Sequence, residues 1–481
     1  MNPRAALAWS FAERYASFTI TFISTLLLAR LLTPAQVGVF SMCMALLAVL
    51  GIVRDFGVSE YIIQVRELDV ARQRAAMAVA LTAAWSLAGL ILLGRDTVAT
   101  FFGEPQVASV LGVLALQSIV LPFSSPAFAR LSRELAFKRI FALQIACNAA
   151  QALVSLTLAW RGWGPLALAW GVVANSATQT VLLHAMQGGD SFFRPALAHT
   201  KELLRFAWMS MSSRGLETLT RNAHEPIIAK AFDFASVGLF SRAWGMVEMF
   251  HSNVADAVLR VSTPAFAAAH RDGQPLAAAF ARATGLYVSI AWPFFAFVAL
   301  MSENIIRVLF GAQWVAAAPL ASILALAALP AGLYELVPQM LSATGHVQRR
   351  LRISAWVAPV HVTGVWLAAQ HSLAAVAAVS FVTALLMLSL CVRELRRGVG
   401  VGARVMLNVC ATSLPVALAA SAAMGAATLG LHQLASPAWI DIIVTAAVGA
   451  GAWWLAATAL QHPMRDELRA ILIRTRAKGL P

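Results

Sequence analysis

Apolar runs of about 20 residues recur along the whole chain, separated by short stretches in which charged residues and glycines gather. An α-helix rises 1.5 Å per residue, so ~20 apolar residues cross the ~30 Å hydrocarbon layer of a bilayer. The pattern predicts spanning helices at 9–31, 36–54, 75–94, 106–127, 140–160, 164–185, 204–228, 236–258, 280–301, 316–342, 353–369, 373–392, 406–430 and 438–460, fourteen in all. The seventh and eighth are the most polar of them.

The basic residues test this count. Lysine and arginine collect in cytoplasmic loops. They cluster after every even-numbered span, as in Arg66, Arg72 and Arg74, then Arg130, Arg133, Lys138 and Arg139, then Arg349, Arg350 and Arg352, and again in the tail. The odd-numbered loops hold at most one each. A missed or invented span would invert this alternation from that point on. Both termini are therefore expected in the cytoplasm.

Composition agrees. Hydrophobic residues make up 60% of the 481 positions and charged ones 12%, and mean hydropathy is +0.74. Soluble domains run nearer 45–50% apolar and ~25% charged, so a soluble enzyme is excluded. The net charge of +14 reads as topology and not as a nucleic-acid surface, because the basic residues are dispersed over seven segments. The four cysteines lie in apolar runs with no CxxC spacing, which predicts neither a disulfide framework nor a zinc site. Glu13 and Arg14 interrupt the first apolar stretch, so it reads as a retained span and not a signal peptide. No segment between spans is long enough for a separate domain.

The chain echoes itself. RLLTPAQVGVFS at 30–41 returns as KAFDFASVGLFS at 230–241, so Gly38 pairs with Gly238 at an offset of 200. A second echo, at 208, pairs Phe102-Gly103 with Phe310-Gly311 and Pro122 with Pro330. The repeat predicts two six-span lobes of like orientation, residues 1–200 and 201–400, followed by two further spans and a basic tail in 401–481. Parallel repeats of this kind are a transporter architecture, with substrate held between lobes that rock.

Ionisable groups at mid-bilayer are costly and normally face a bundle interior or water. On span 7, Ser210, Arg214, Glu217, Arg221, His224 and Glu225 fall within about a 100° arc, one face of one helix. Arg14 on span 1 corresponds to Arg214 under the offset of 200. Span 8 adds Arg242, Glu248, His251 and Asp256, and span 10 adds Glu335. Two readings stay open. The arginines and glutamates neutralise one another along the helix, or Arg14, Arg214, Arg221 and Arg242 line a cationic cavity whose planar guanidinium groups suit phosphate. Glu217, His224 and Glu225 are the candidates for a coupling proton or sodium ion. No metal ligand set and no organic cofactor is expected. Among several intramembrane prolines, Pro226 and Pro330 read first as ordinary helix kinks, with hinges as the competing reading.

There is no GxxxxGK[ST] loop, no HExxH and no GxSxG elbow. A nucleotide-driven pump or a hydrolase is not indicated.

Several stretches resemble one family. ARLLTPAQVGVFSM (29–42), DFGVSEYIIQ (55–64), LAFKRI (135–140), STPAFAAAHRDGQPLAAAF (262–280) and NIIRVLFGAQWVAAAPLASILALAALPAGL (304–333) are similar to the polysaccharide-export (Wzx-like) flippases of the multidrug/oligosaccharidyl-lipid/polysaccharide transporter superfamily. The resemblance covers spans 1 to 10. It implies an all-α, MATE-like fold in the bacterial inner membrane. It also implies flipping of undecaprenyl-pyrophosphate-linked oligosaccharide repeat units for exopolysaccharide, O-antigen or capsule, a central cationic cavity, and coupling to a proton or sodium gradient. Membrane lipids and a polysaccharide polymerase or assembly complex are the implied partners. The chain departs from the family where relatives carry Asn-x-Asp: Asn222 is kept, but His224 takes the place of the aspartate. The alternatives are a multidrug or toxin cation antiporter of the same superfamily, and a membrane enzyme acting on lipid-linked sugars.

Overall fold

A computed structural model describes residues 3–55, 58, 61–62, 65, 69–134, 136–187, 195–196, 200, 203, 215–434, 436–467 and 469. Among these there are helices and no strands. That is the expected answer of a backbone in hydrocarbon, where every N–H and C=O must be satisfied within the segment.

The helices are α1 (Pro3–Leu31), α2 (Pro34–Asp55), α3 (Val70–Phe102), α4 (Gln106–Val120), α5 (Ser125–Arg133), α6 (Phe137–Trp160), α7 (Pro165–Gln187), α8 (His224–Ala231), α9 (Phe234–Phe250), α10 (Asp256–Arg271), α11 (Leu276–Leu309), α12 (Ala318–Tyr334), α13 (Val337–Ala343), α14 (Val347–Ala368), α15 (Leu373–Val399), α16 (Ala403–Gln433) and α17 (Ala438–Ala459). Ten helical stretches among the described residues are long and apolar enough to cross a membrane. The helices α1 and α14 and the run from α9 to α10 lie over the first, eleventh and eighth predicted spans. The first half of span 7, with Ser210 and Arg214, lies outside the described residues. The chain is thus an all-helical, multi-pass membrane protein. Its outward faces carry large apolar side chains, among them Leu93, Leu153 and Trp160, as a lipid-facing surface requires.

Met1–Gly238 and Leu239–Pro481 form two compact units. In the first unit the earlier echo becomes a contact. Helix α2 starts on Thr33, whose hydroxyl accepts from the Gln36 N–H at 3.3 Å, while Gln36 Oε1 accepts from the Thr33 N–H at 3.0 Å. That reciprocal pair satisfies two of the donors a helix start leaves open. The equivalent start of α9 is capped by Asp233, which accepts from the Ser236 N–H at 2.7 Å. The two first turns then cross at their glycines. A Cβ on Gly38 would overlap the Phe234 carbonyl, and one on Gly238 would overlap the Pro34 carbonyl. The contact is two-fold in sequence as well as in space, since Pro34 and Phe234 are themselves 200 residues apart.

The second echo ends two helices. Helices α3 and α11 stop at Phe102-Gly103 and Phe310-Gly311, and both glycines have positive φ, 72° and 103°, where a side chain is disfavoured. Both helices outrun the predicted spans, with 33 and 34 residues. At 1.5 Å per residue that is ~50 Å, more than the hydrocarbon thickness, so the polar ends Arg72 and Arg307 extend past the apolar window.

Proline sets the breaks. Helix is interrupted at Ala223, three residues before Pro226, and at Glu335–Leu336, before Pro338. In span 4 a 3₁₀ turn at Leu121–Phe123 precedes Pro126. Each proline lacks an N–H and its ring clashes with the carbonyl four residues back, so the disturbance falls on its N-terminal side. Pro330, by contrast, is carried inside α12. The break in this span lies five residues later, at Glu335–Leu336.

Candidate functional site

Span 7 supplies the first part of the site. Residues 215–222 are helical and the helix resumes at His224. Pro226 removes the N–H that would bond the Asn222 carbonyl, and local side chains turn to the neighbouring carbonyls instead. Asn222 Nδ2 donates to the Thr218 carbonyl at 2.8 Å. His224 is buried, with Nδ1 3.4 Å from the Arg221 carbonyl. Glu225 sits in the first turn of α8, where the helix dipole favours an acid, yet its Oε2 is buried with no hydrogen-bond partner. At the other end of α8, Lys230 Nζ donates to the Phe101 carbonyl at 2.7 Å and lies 4.3 Å from the centre of the Phe101 ring. That contact fastens α8 to the end of α3.

Of the remaining predicted residues in the first unit, Arg14 is half-buried on α1 and Glu217 half-buried on the helical stretch before the break, while Arg221 is exposed. Arg214 lies outside the described residues. The structure therefore brings together Arg221, His224 and Glu225 around one helix break.

The second unit holds Arg242, on the third turn of α9. Its guanidinium carbon lies 4.9 Å from the Phe310 ring centre and 4.9 Å from that of Trp314. Both rings are buried. Arg242 Nε is buried with no hydrogen-bond partner, and among the described residues no carboxylate pairs with the group. A cation over an aromatic face gains ~0.5–2 kcal/mol, less than an arginine gains from a bidentate anion with its charge-assisted hydrogen bonds. The rings hold the guanidinium plane in place and leave its donors for something else.

Sequence reasoning placed Arg242 in the cavity list and missed its two aromatic supports. The signal was there: Phe310 and Trp314 sit inside the segment NIIRVLFGAQWVAAAP, which carried the resemblance. Among the described residues no group of three or more His, Cys, Asp or Glu side chains gathers to hold a metal ion.

Residues 27–319 match the family model described as "Polysaccharide biosynthesis protein". The lipopolysaccharide biosynthesis protein WzxC of Escherichia coli (strain K12) is 23% identical over 353 residues, 70% of this chain and 69% of that protein. The succinoglycan biosynthesis transport protein ExoT of Rhizobium meliloti (strain 1021) is 21% identical over 66% of this chain, which spans 65% of its length. Among solved structures, the lipid II flippase MurJ in an inward closed conformation aligns with a TM-score of 0.74 at 10% identity, covering 96% of this chain and 99% of that one. An inward-facing multidrug resistance MATE family transporter of the MOP superfamily aligns with a TM-score of 0.62 at 16% identity, over 82% and 96%. At these identities the solved structures establish the fold: the chain shares it with both transporters.

Proposed function

The chain belongs to the polysaccharide biosynthesis protein family, and from that premise we propose that it is a flippase. Its cargo is an oligosaccharide repeat unit linked to undecaprenyl pyrophosphate. The cargo is turned from the cytoplasmic to the periplasmic leaflet of a bacterial inner membrane for exopolysaccharide, O-antigen or capsule. Two six-span lobes, 1–200 and 201–400, alternate access to a cavity between them, with two further spans and a basic tail in 401–481 making fourteen spans in all and both termini cytoplasmic. Relatives named for lipopolysaccharide biosynthesis and for succinoglycan biosynthesis transport support this reading, as does a fold shared with the lipid II flippase MurJ.

The observation that carries it is Arg242: a cation inside the membrane, stacked on Phe310 and Trp314, with no carboxylate of its own. Such a group suits the pyrophosphate or an acidic sugar. Arg14, Arg214 and Arg221 complete the proposed cationic lining. The fold is shared with a multidrug resistance MATE family transporter as well, which keeps a cation antiporter as the alternative, but an unneutralised arginine repels a cationic drug. A membrane enzyme has no comparable support, since the relatives are named for transport and biosynthesis and the neighbours are transporters.

The test is a strain lacking the protein. Lipid-linked single units should accumulate on the cytoplasmic leaflet, and the wild-type gene should clear them. Finished units that reach the periplasmic leaflet and stay unpolymerised would sink the flippase reading.

A further inference from the structure

In the second unit two interrupted spans meet. The run α9–α10 is joined by a π-helical turn, His251–Ala255, a feature that inserts an extra residue into the ladder and recurs at functional positions. Span 10 is broken between Tyr334 and Val337, leaving Glu335 on the break. His251 Nδ1 and Glu335 Oε1 lie 3.6 Å apart, each side chain about one-fifth exposed. The close approach and the two irregular stretches coincide, so both ionisable groups hang on backbone that is not locked into a regular helix.

The depth is consistent across elements. At 1.5 Å per residue, His251 is ~26 Å along α9 from Phe234, Glu335 ~26 Å from the start of α12, and Cys391 ~27 Å from the start of α15. All three helices begin on the side with few basic residues. The pair therefore lies towards the basic, cytoplasmic side of the membrane.

The surroundings are polar at short range and apolar beyond. Tyr287 from α11, Tyr334 at the end of α12 and Cys391 from α15 lie within electrostatic reach of Glu335. Phe295 lies 6.5 Å from the His251 ring. Glu248, one turn before His251 on α9, is a second half-buried carboxylate beside the imidazole; helix α13 carries no titratable group, and Asp256 and Arg260, the first charged residues of α10, are exposed. Two buried oxygens have no hydrogen-bond partner: Gln339 Oε1, one turn past Glu335, and Thr284 Oγ1, one turn before Tyr287.

We infer that His251 and Glu335 form a proton-binding switch inside the second unit, reached from the cytoplasmic side. At 3.6 Å the pair is too long for a hydrogen bond. One proton added to the imidazole makes an imidazolium, and a charge-assisted bond to a carboxylate closes to ~2.8 Å. The π turn and the Glu335 break absorb that closure without tearing a regular helix. When the proton leaves, the pair relaxes and the two interrupted spans are free to part. This deepens the transporter reading in its consequence for transport; the proton uptake stands on the geometry alone.

The experiment uses the purified full-length protein in vesicles of phosphatidylethanolamine and phosphatidylglycerol. Infrared difference spectra between pH 8 and pH 5.5 should show an imidazolium signal with a shifted carboxylate band. His251→Gln should remove the first and Glu335→Gln the second. Either variant alone decides the matter if the other fails to fold. Spectra identical in wild type and both variants would overturn the inference, and so would a change that follows sodium concentration at fixed pH. In the same vesicles, flipping of a labelled undecaprenyl-pyrophosphate oligosaccharide should vary by up to ~tenfold per pH unit, the slope of one proton, and both variants should flatten it. If wild-type vesicles do not flip the lipid at all, the flippase reading falls while the spectra still judge the switch.

Discussion

Spans 4 and 10 occupy the same place in the two sequence repeats, and both are interrupted, yet the interruptions are chemically unlike. In span 4 the break is neutral. Ser124 is fully buried, with its hydroxyl 3.0 Å from the Leu121 carbonyl and 3.1 Å from Gln179 Oε1 on α7. In span 10 the break presents Glu335 to His251 across a gap wider than a hydrogen bond. One discontinuity is closed by short neutral polar contacts; the other sets two ionisable side chains against each other. A repeat can thus keep a backbone irregularity while only one copy keeps the ability to respond to the medium. The first copy stays a fixed joint and the second becomes an adjustable one.

The sharpest way to break this comparison is to make the neutral joint ionisable. Ser124→Glu buries a carboxylate with no basic partner, a change worth ~3–5 kcal/mol, and the folded yield should collapse, read by gel filtration in detergent. A stably folded Ser124→Glu would mean that the first joint tolerates charge as the second does. Next comes Arg242. Removing it forfeits charge-assisted bonds to an anion, ~1.5–3 kcal/mol, so Arg242→Ala should cut export ~10–100-fold at normal protein level, and Arg242→Lys should restore only part because lysine has no planar fork. Full export by Arg242→Ala would remove the cationic-cavity argument. Ser124→Ala leaves Gln179 unpaired, costs ~1–3 kcal/mol, and should lower the midpoint of thermal unfolding without altering any pH dependence. The smallest effect is expected at Lys230→Met, which removes one exposed hydrogen bond and a cation–ring contact at the end of α8. A loss of ~0.5–1.5 kcal/mol follows, visible as faster proteolysis near Ala231.

Ten of the predicted spans coincide with helices long and apolar enough to cross a membrane, and they were legible because the bilayer leaves a chain few options: ~20 apolar residues with basic flanks admit little besides a crossing helix. The Gly38/Gly238 echo was legible as a repeat, and its crossing gives the physical reason for glycine at both positions. The breaks were half legible. Pro226 marked one, three residues downstream of it. Pro330 lies inside the unbroken α12, and the break that carries Glu335 comes just before Pro338. Hydropathy is blind to such choices, since they depend on which carbonyls the bundle re-satisfies. The aromatic seat of Arg242 was hidden for another reason: Phe310 and Trp314 lie about 70 residues away from it along the chain, and one-dimensional spacing carries no record of that meeting.

The crossing of Gly38 and Gly238 has a consequence for how mutations combine. Each glycine is required only while the other helix start remains close. An alanine at either position pushes the two turns apart, and once they are apart the second alanine meets little. The pair should therefore behave as one heritable unit: two single substitutions that each harm the protein, and a double substitution much less harmful than their sum.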